Sequence, residues 1–179
     1  MQARARWIFG YGSLIWRPDF AYLEKRAACV RGLARRLWQG SPDHRGAPDA
    51  PGRVATLVPR RAARCWGVAY RVADGVWDAV LARLDARESG GFERCPVDVG
   101  FADSAQALAP ALTYIAHAHN PNFLGPAPLA AIADQVRRAS GRSGSNAAYV
   151  LELAAALRAL AVRDAHVFGV AARLSAEVG

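Results

Sequence analysis

Glu88 is the residue in this sequence best placed for acid–base chemistry. It stands in Leu84-Asp85-Ala86-Arg87-Glu88-Ser89-Gly90-Gly91-Phe92, on the last turn of a predicted helix and just ahead of two glycines that stop it. A carboxylate at a helix C-terminus faces the negative end of the macrodipole, which costs about 0.3–1 kcal/mol and pushes its pKa upward. Partial burial would push the same way, toward the range of a general base. The same local sequence also fits a solvated surface glutamate ahead of a glycine stop. The second candidate is Trp7-Ile8-Phe9-Gly10-Tyr11-Gly12-Ser13-Leu14-Ile15-Trp16, a short apolar strand running into a loop with two glycines and a serine. Glycine permits φ > 0 and close backbone approach, so bare N–H groups here can face a ligand. A plain tight turn needs the same residues.

Other polar groups carry weaker signals. Gly12-Ser13-Leu14 lacks the Gly-x-Ser-x-Gly pattern of a nucleophile elbow. Gly10-Tyr11-Gly12 is half of a dinucleotide fingerprint, but the third glycine is absent and no βαβ unit follows. His117 and His119 lie two apart at the end of a predicted strand and so share a face, without an Asp, Glu or Cys at ligand spacing. Arg35-Arg36 with Trp38, and His44-Arg45, form a basic and aromatic group that fits anion binding or packing around Trp38. Cys29, Cys65 and Cys95 are odd in number and far apart, which argues against a disulfide framework and a structural zinc site.

The elements that must position Glu88 and the loop follow from periodicity. Ala27–Trp38 alternates loosely and reads as a strand or a bent strand pair, and Gly40–Gly52 as a long polar loop. Arg53–Val58 and Cys65–Val72 read as strands. From Asp74 the period changes: Val76, Val80, Leu81 and Leu84 form one stripe, predicting a helix over Asp74–Glu88 with Asp74 as its N-cap. Glu93–Phe101 and Ala111–Ala118 are two more predicted strands. Helices follow over Pro128–Ala139, Asn146–Ala161 and Asp164–Leu174, with Asn146 and Asp164 as suitable N-caps. Strands first and helices toward the C-terminus predict an α+β domain, a twisted sheet or small barrel with helices to one side. Without repeats or a linker, residues 1–179 read as a single domain.

Composition sets outer limits. The chain has 179 residues, 53% hydrophobic and 21% charged, which is globular and not disordered. Its formal charge of 23 − 15 = +8 raises the question of polyanion binding. Lys25 is the sole lysine, and the arginines are dispersed without a long run, so an anionic small substrate fits as well as a nucleic acid. Met1-Gln2-Ala3-Arg4-Ala5-Arg6 has no leader-like apolar run, and no stretch approaches the ~20 apolar residues of a membrane span, so the expectation is a cytoplasmic protein that engages neither membrane nor nucleic acid.

Several of these stretches together carry a family pattern. Phe9-Gly10-Tyr11-Gly12-Ser13-Leu14-Ile15-Trp16 resembles the signature of the ChaC-type gamma-glutamylcyclotransferases. So do Trp38-Gln39-Gly40-Ser41, Asp43-His44-Arg45-Gly46, Pro51-Gly52-Arg53-Val54, Trp66-Gly67-Val68-Ala69-Tyr70, and Arg87-Glu88 followed by Gly90-Gly91. Asn120-Pro121 and Leu124-Gly125-Pro126-Ala127-Pro128 continue the likeness, which spans nearly the whole chain in order. It implies a gamma-glutamylcyclotransferase-like fold, a small mixed β-barrel with flanking helices. It also implies cleavage of glutathione to 5-oxoproline and cysteinylglycine, with neither metal nor organic cofactor. Glu88 aligns with the family's proton acceptor, and Ile8, Phe9, Gly10, Tyr11, Gly12, Ser13 and Leu14 with the segment that holds the gamma-glutamyl group. Ser89 and Phe92 stand where the family often has lysine and tyrosine, and Pro42 where threonine is common. Those departures bear on substrate preference, and other gamma-glutamyl amines or amino acids are the alternative substrates. A polyanion-binding module is the alternative from another class.

Overall fold

A computed structural model describes residues 6–104 and 108–176. Met1 to Ala5, read above for a leader, lie outside the described residues. The order of elements is β1 (Arg6–Gly10), a 3-10 turn (Ser13–Ile15), β2 (Glu24–Ser41), β3 (Gly52–Val72), a second 3-10 turn (Asp74–Val76), α1 (Trp77–Arg87), β4 (Phe92–Phe101) and β5 (Ala109–Ala116). There follow α2 (Leu129–Arg138), a two-residue hairpin of β6 (Ser140–Gly141) and β7 (Gly144–Ser145), α3 (Asn146–Ala159) and α4 (Ala165–Ser175). The five long strands form a closed barrel in the order β1-β3-β2-β4-β5. β1 is antiparallel to β3, with Ile8 opposite Tyr70 and Gly10 opposite Val68. It is parallel to β5, with Trp7 opposite Ala111. Trp7, Ile8 and Phe9 are all buried, as expected of a strand covered on both faces. The small mixed barrel with helices is therefore present.

Internal contacts divide the chain into two units, Met1–Ala34 with Pro59–Ile115, and Arg35–Val58 with Ala116–Gly179; β2 and β3 contribute residues to each. In the first unit Ile8, Leu14, Val72, Val80, Leu81, Leu84 and Tyr114 form a buried cluster, edged by Phe20, Trp77, Phe92 and Leu112. It is here that α1 lays Val80, Leu81 and Leu84 of the predicted stripe, whereas Val76 precedes the helix and is exposed. In the second, α2, α3 and α4 pack on one another. Ile132, Val136, Val150, Leu153, Leu157, Val167 and Val170 are essentially inaccessible there. Polar pairs fill the remaining interior: Gln39 and Asn120 exchange side-chain hydrogen bonds of 3.0 and 2.9 Å, and Arg35 pairs with Asp164 at 2.6 Å.

Several expectations are corrected. Arg53–Val58 and Cys65–Val72 are one strand, continuous through the largely exposed residues 59–64, with Ala62 at φ 62°. Asp74 does not cap α1: the chain first tightens into a 3-10 turn, Val76 takes the cap position without a side-chain bond, and Asp74 pairs with Arg6 at 3.0 Å. Ser145 caps α3, its Oγ accepting from the Ala148 N–H. Asn146 is buried instead, accepting from the Arg53 N–H (2.7 Å) and donating to the Arg53 carbonyl (2.8 Å). Asp164 caps α4 as expected. The loop is shorter than read, since Gly40, Ser41 and Gly52 belong to strands, and the β6–β7 turn holds it through Arg142 N–H to Asp43 O and Ser143 N–H to His44 O.

Candidate active site

Glu88 is the residue where α1 ends. Its N–H donates to the Leu84 carbonyl at 2.7 Å, its own backbone leaves the helical region at φ −88°, ψ 42°, and Gly90 and Gly91 follow at φ 88° and 112°. Only glycine adopts such values without strain, so the double glycine turns the chain sharply just after Glu88. The side chain is 18% exposed, which excludes a fully solvated glutamate. Burial raises the carboxyl above its ordinary range, and the Arg87 guanidinium acts against that rise.

The loop after β1 is a compact turn. Gly12 O accepts from the Ile15 N–H at 3.0 Å, and Ser13 O accepts from the Arg17 N–H at 2.8 Å. At the start of such a turn, the N–H groups of Ser13 and Leu14 have no acceptor within the turn itself. The glycines serve differently from expectation. Neither Gly10 nor Gly12 has positive φ, and Gly12 sits at φ −119°, ψ −133°. Gly10 is needed for closeness: a Cβ there would lie 2.6 Å from Leu14 Cβ.

Of the seven loop residues singled out, the structure divides them. Ile8, Phe9 and Leu14 are core residues, Gly10 is buried at the strand end, and Tyr11 donates its hydroxyl to the Tyr114 carbonyl at 2.6 Å. They hold the turn from beneath. Gly12 and Ser13 are the partly exposed members. Tyr70, quoted from the sequence only within a family stretch and given no role at the site, donates to Leu14 O at 2.6 Å, with Ile15 O at 3.0 Å, fixing the turn from β3. Tyr114 in turn donates to Asp85 at 2.7 Å, and Arg94 donates to the same carboxylate at 2.8 Å, so β5, α1 and β4 are tied behind the site.

Arg87 joins the turn to the helix end. Its Nη2 donates to Ser13 Oγ at 2.8 Å, its Nη1 to Arg17 O at 2.6 Å, and its Nε lies 3.6 Å from Glu88 Oε1. The two features found in the sequence are thus one guanidinium apart. That is an arrangement in which a basic carboxylate, a hydroxyl and backbone donors can act on one small molecule. The signal for Arg87 in the sequence was its place beside Glu88, which says nothing of where a long side chain reaches.

The other candidates are placed elsewhere. β5 ends at Ala116, so His117 and His119 are beyond the strand, stacked at 5.6 Å, and no group of three metal-binding side chains occurs among the described residues. Arg35 is buried in its ion pair, and Arg45 donates to Ser145 O at 3.1 Å, so packing accounts for both. No helix among the described residues is long and apolar enough to cross a membrane. An open cleft of about 750 Å³ beside Arg6, Trp7, Trp77 and Leu112 contains none of Ser13, Arg87 and Glu88.

Known proteins share both the sequence and the fold. A family model described as ChaC-like protein matches residues 6–177. Human glutathione-specific gamma-glutamylcyclotransferase 1 is 46% identical over 153 residues, covering 84% of this chain and 69% of its own. The zebrafish protein of that name is 40% identical over 176 residues, 96% of this chain and 90% of its own. The crystal structure of a yeast gamma-glutamyl cyclotransferase specific to glutathione superposes with a TM-score of 0.89 at 26% identity, over 96% of each chain. With the family pattern running through nearly every described element and the same barrel beneath it, this chain belongs to the ChaC-like protein family.

Proposed function

We propose that this chain is a glutathione-specific gamma-glutamylcyclotransferase, releasing 5-oxoproline and cysteinylglycine. Relatives of that name across almost the full chain support the reaction class. The observation that carries the site assignment is a largely buried Glu88 one guanidinium from the Gly12–Ser13 turn.

The chemistry asks little of the protein beyond a base and a mould. The α-amine of the gamma-glutamyl group attacks its own γ-carbonyl carbon to close a five-membered ring. At neutral pH that amine carries a proton which must first leave, and Glu88, raised by burial, accepts it. Because attack is intramolecular, holding the arm folded in a near-attack pose lowers the barrier by several kcal/mol, and well-oriented cases reach ~7–11. Negative charge then develops on the carbonyl oxygen, opposite the N–H groups of the turn. When the bond to the cysteine nitrogen breaks, Glu88 returns its proton to that nitrogen, and the vacated carboxylate takes the second proton from the ring nitrogen as cysteinylglycine departs. Neither Ser13 nor a cysteine has to act as a nucleophile.

The test is product analysis on the purified protein. Glutathione should yield 5-oxoproline and cysteinylglycine in equal amounts, while gamma-glutamyl-alanine reacts far more slowly. Equal rates on both would replace the glutathione reading with a general gamma-glutamyl one, and no 5-oxoproline from either would remove the reaction class.

A further inference from the structure

Arg87 reaches three parts of the first unit at once. A guanidinium is planar and offers five N–H donors in a rigid fork. One nitrogen donates to Ser13 Oγ at 2.8 Å. Another donates to Arg17 O at 2.6 Å, with Asp19 Oδ2 at 3.2 Å. The third lies 3.6 Å from Glu88 Oε1. The Arg87 side chain is 20% exposed and that of Glu88 18%, whereas that of Asp19 is 44% exposed. Its attraction to Asp19 is therefore the more screened, and its attraction to Glu88 the less.

The bond to Ser13 has a directional consequence. A serine hydroxyl has one proton and two lone pairs. With Arg87 donating into the oxygen, the proton of Ser13 must point to a different acceptor. The charge-assisted bond also makes that hydroxyl a stronger donor. The pair therefore presents an N–H and an O–H from the same residue.

We propose that Arg87 is the positioning residue of this site: it orients the Ser13 hydroxyl as a donor to the gamma-glutamyl group and holds the Glu88 carboxylate in its ionised, proton-accepting form. The proposal rests on the reaction given above, and it adds the residue that couples the turn to the base. Burial alone would carry Glu88 toward a neutral carboxylic acid, which cannot take a proton from an ammonium group. Charged and titratable groups near the pair include Arg17 and Asp19 from the connector after the turn, Tyr70 from β3, and Tyr22 against Tyr70. Burial pushes the Tyr70 phenol up, so it stays neutral across the working range. Arg17 lies 3.5 Å from Asp19, and among the described residues Arg87 is the cation paired with Glu88.

The experiment is a pH–rate profile of kcat/KM for glutathione in wild type, Arg87→Gln, Arg87→Lys, Ser13→Ala and Glu88→Gln, with a 13C-carboxyl NMR titration of Glu88 in the unliganded wild type, Arg87→Gln and Arg87→Lys. Removing an opposite charge at this range moves a carboxylate by about one pH unit or more. Arg87→Gln should thus shift both the acid limb and the Glu88 titration upward by that amount. Arg87→Lys keeps the charge but not the fork, so its acid limb should stay in place while KM rises about tenfold. Ser13→Ala should raise KM and leave the limb unmoved. A folded Arg87→Gln with an unshifted Glu88 titration overturns the proposal, as does an Arg87→Lys with wild-type KM should Arg87→Gln not fold. Glu88→Gln and wild type separate the two readings: an inactive wild type removes the reaction, and the NMR titration still decides the role of Arg87.

Discussion

Gly10→Ala tests whether the turn after β1 is built to a close tolerance. The added Cβ would lie 2.6 Å from Leu14 Cβ and 3.3 Å from the Leu14 carbonyl carbon. Non-bonded carbons sit at about 3.5–4.0 Å, so roughly 1 Å of displacement is required. Leu14 is held by Tyr70, whose hydroxyl donates to its carbonyl at 2.6 Å, and by the buried cluster it joins. Movement must therefore come from the Gly12–Ser13 segment. Overpacking of this kind costs about 1–3 kcal/mol. In a chain of this length that lowers the melting temperature by about 2–12 °C. Domains are typically stable by about 5–15 kcal/mol, so the variant remains folded at 25 °C. A 1 Å misplacement of a substrate-holding segment costs about 100-fold in rate, far more than the unfolded fraction explains. The assay is thermal unfolding beside 5-oxoproline release from glutathione at 25 °C. Gly75→Ala is the control, because nothing lies within 4 Å of its added Cβ; it should match wild type in rate. A Gly10→Ala enzyme within about threefold of wild type, where about 100-fold is expected, would refute the reasoning.

Three further outcomes follow from single groups. Glu88 is raised by burial, so the folded state binds its proton more tightly than the unfolded chain does, and its stabilisation is present at low pH and lost as pH rises through the folded value. Glu88→Gln should accordingly melt higher than wild type at pH 8, with the gap closing as the pH falls to the ordinary glutamate range, as read by calorimetry at the two pH values. Asn146→Ala strands the buried N–H and C=O of Arg53 and should cost about 2–5 kcal/mol in chemical denaturation, with the helical circular dichroism retained. His166 is lowered to about 4 by burial and by Arg36, and its Nε2 accepts from the Leu37 N–H at 3.0 Å. Between about pH 6.5 and 4 the unfolded chain holds a proton the folded chain refuses, so stability falls as pH drops through that window, and His166→Gln should flatten the fall.

What the sequence made legible was local. The stripe Val80, Leu81, Leu84 and the double glycine placed α1 and its end, because 3.6-residue periodicity and glycine chemistry act over a few neighbours. The same holds for Asp164 as a cap. Glu88 and the Ser13 turn were found for that reason, each within its own segment. What stayed hidden was non-local. The parallel pairing of β1 with β5 joins residues about a hundred positions apart, and no local pattern encodes it. Asn146 has the chemistry of an N-cap, but the open backbone of Arg53 claims its amide. Arg87 was legible only as the neighbour of Glu88 in a family stretch, and only the fold brings Ser13 and Arg17 within reach of its guanidinium. The long strand through residues 59–64 was missed because exposed arginines and alanines alternate with nothing.

The most direct test of the central claim is 5-oxoproline release from glutathione by Glu88→Gln, measured on protein shown to be folded by its melting curve. Glutamine fills the same space, keeps Ser13 and Arg87 in place, and cannot accept a proton from the attacking amine. The variant should lose about 100-fold or more in kcat. Turnover within about threefold of wild type, against that expectation, would contradict it and move the base to another residue.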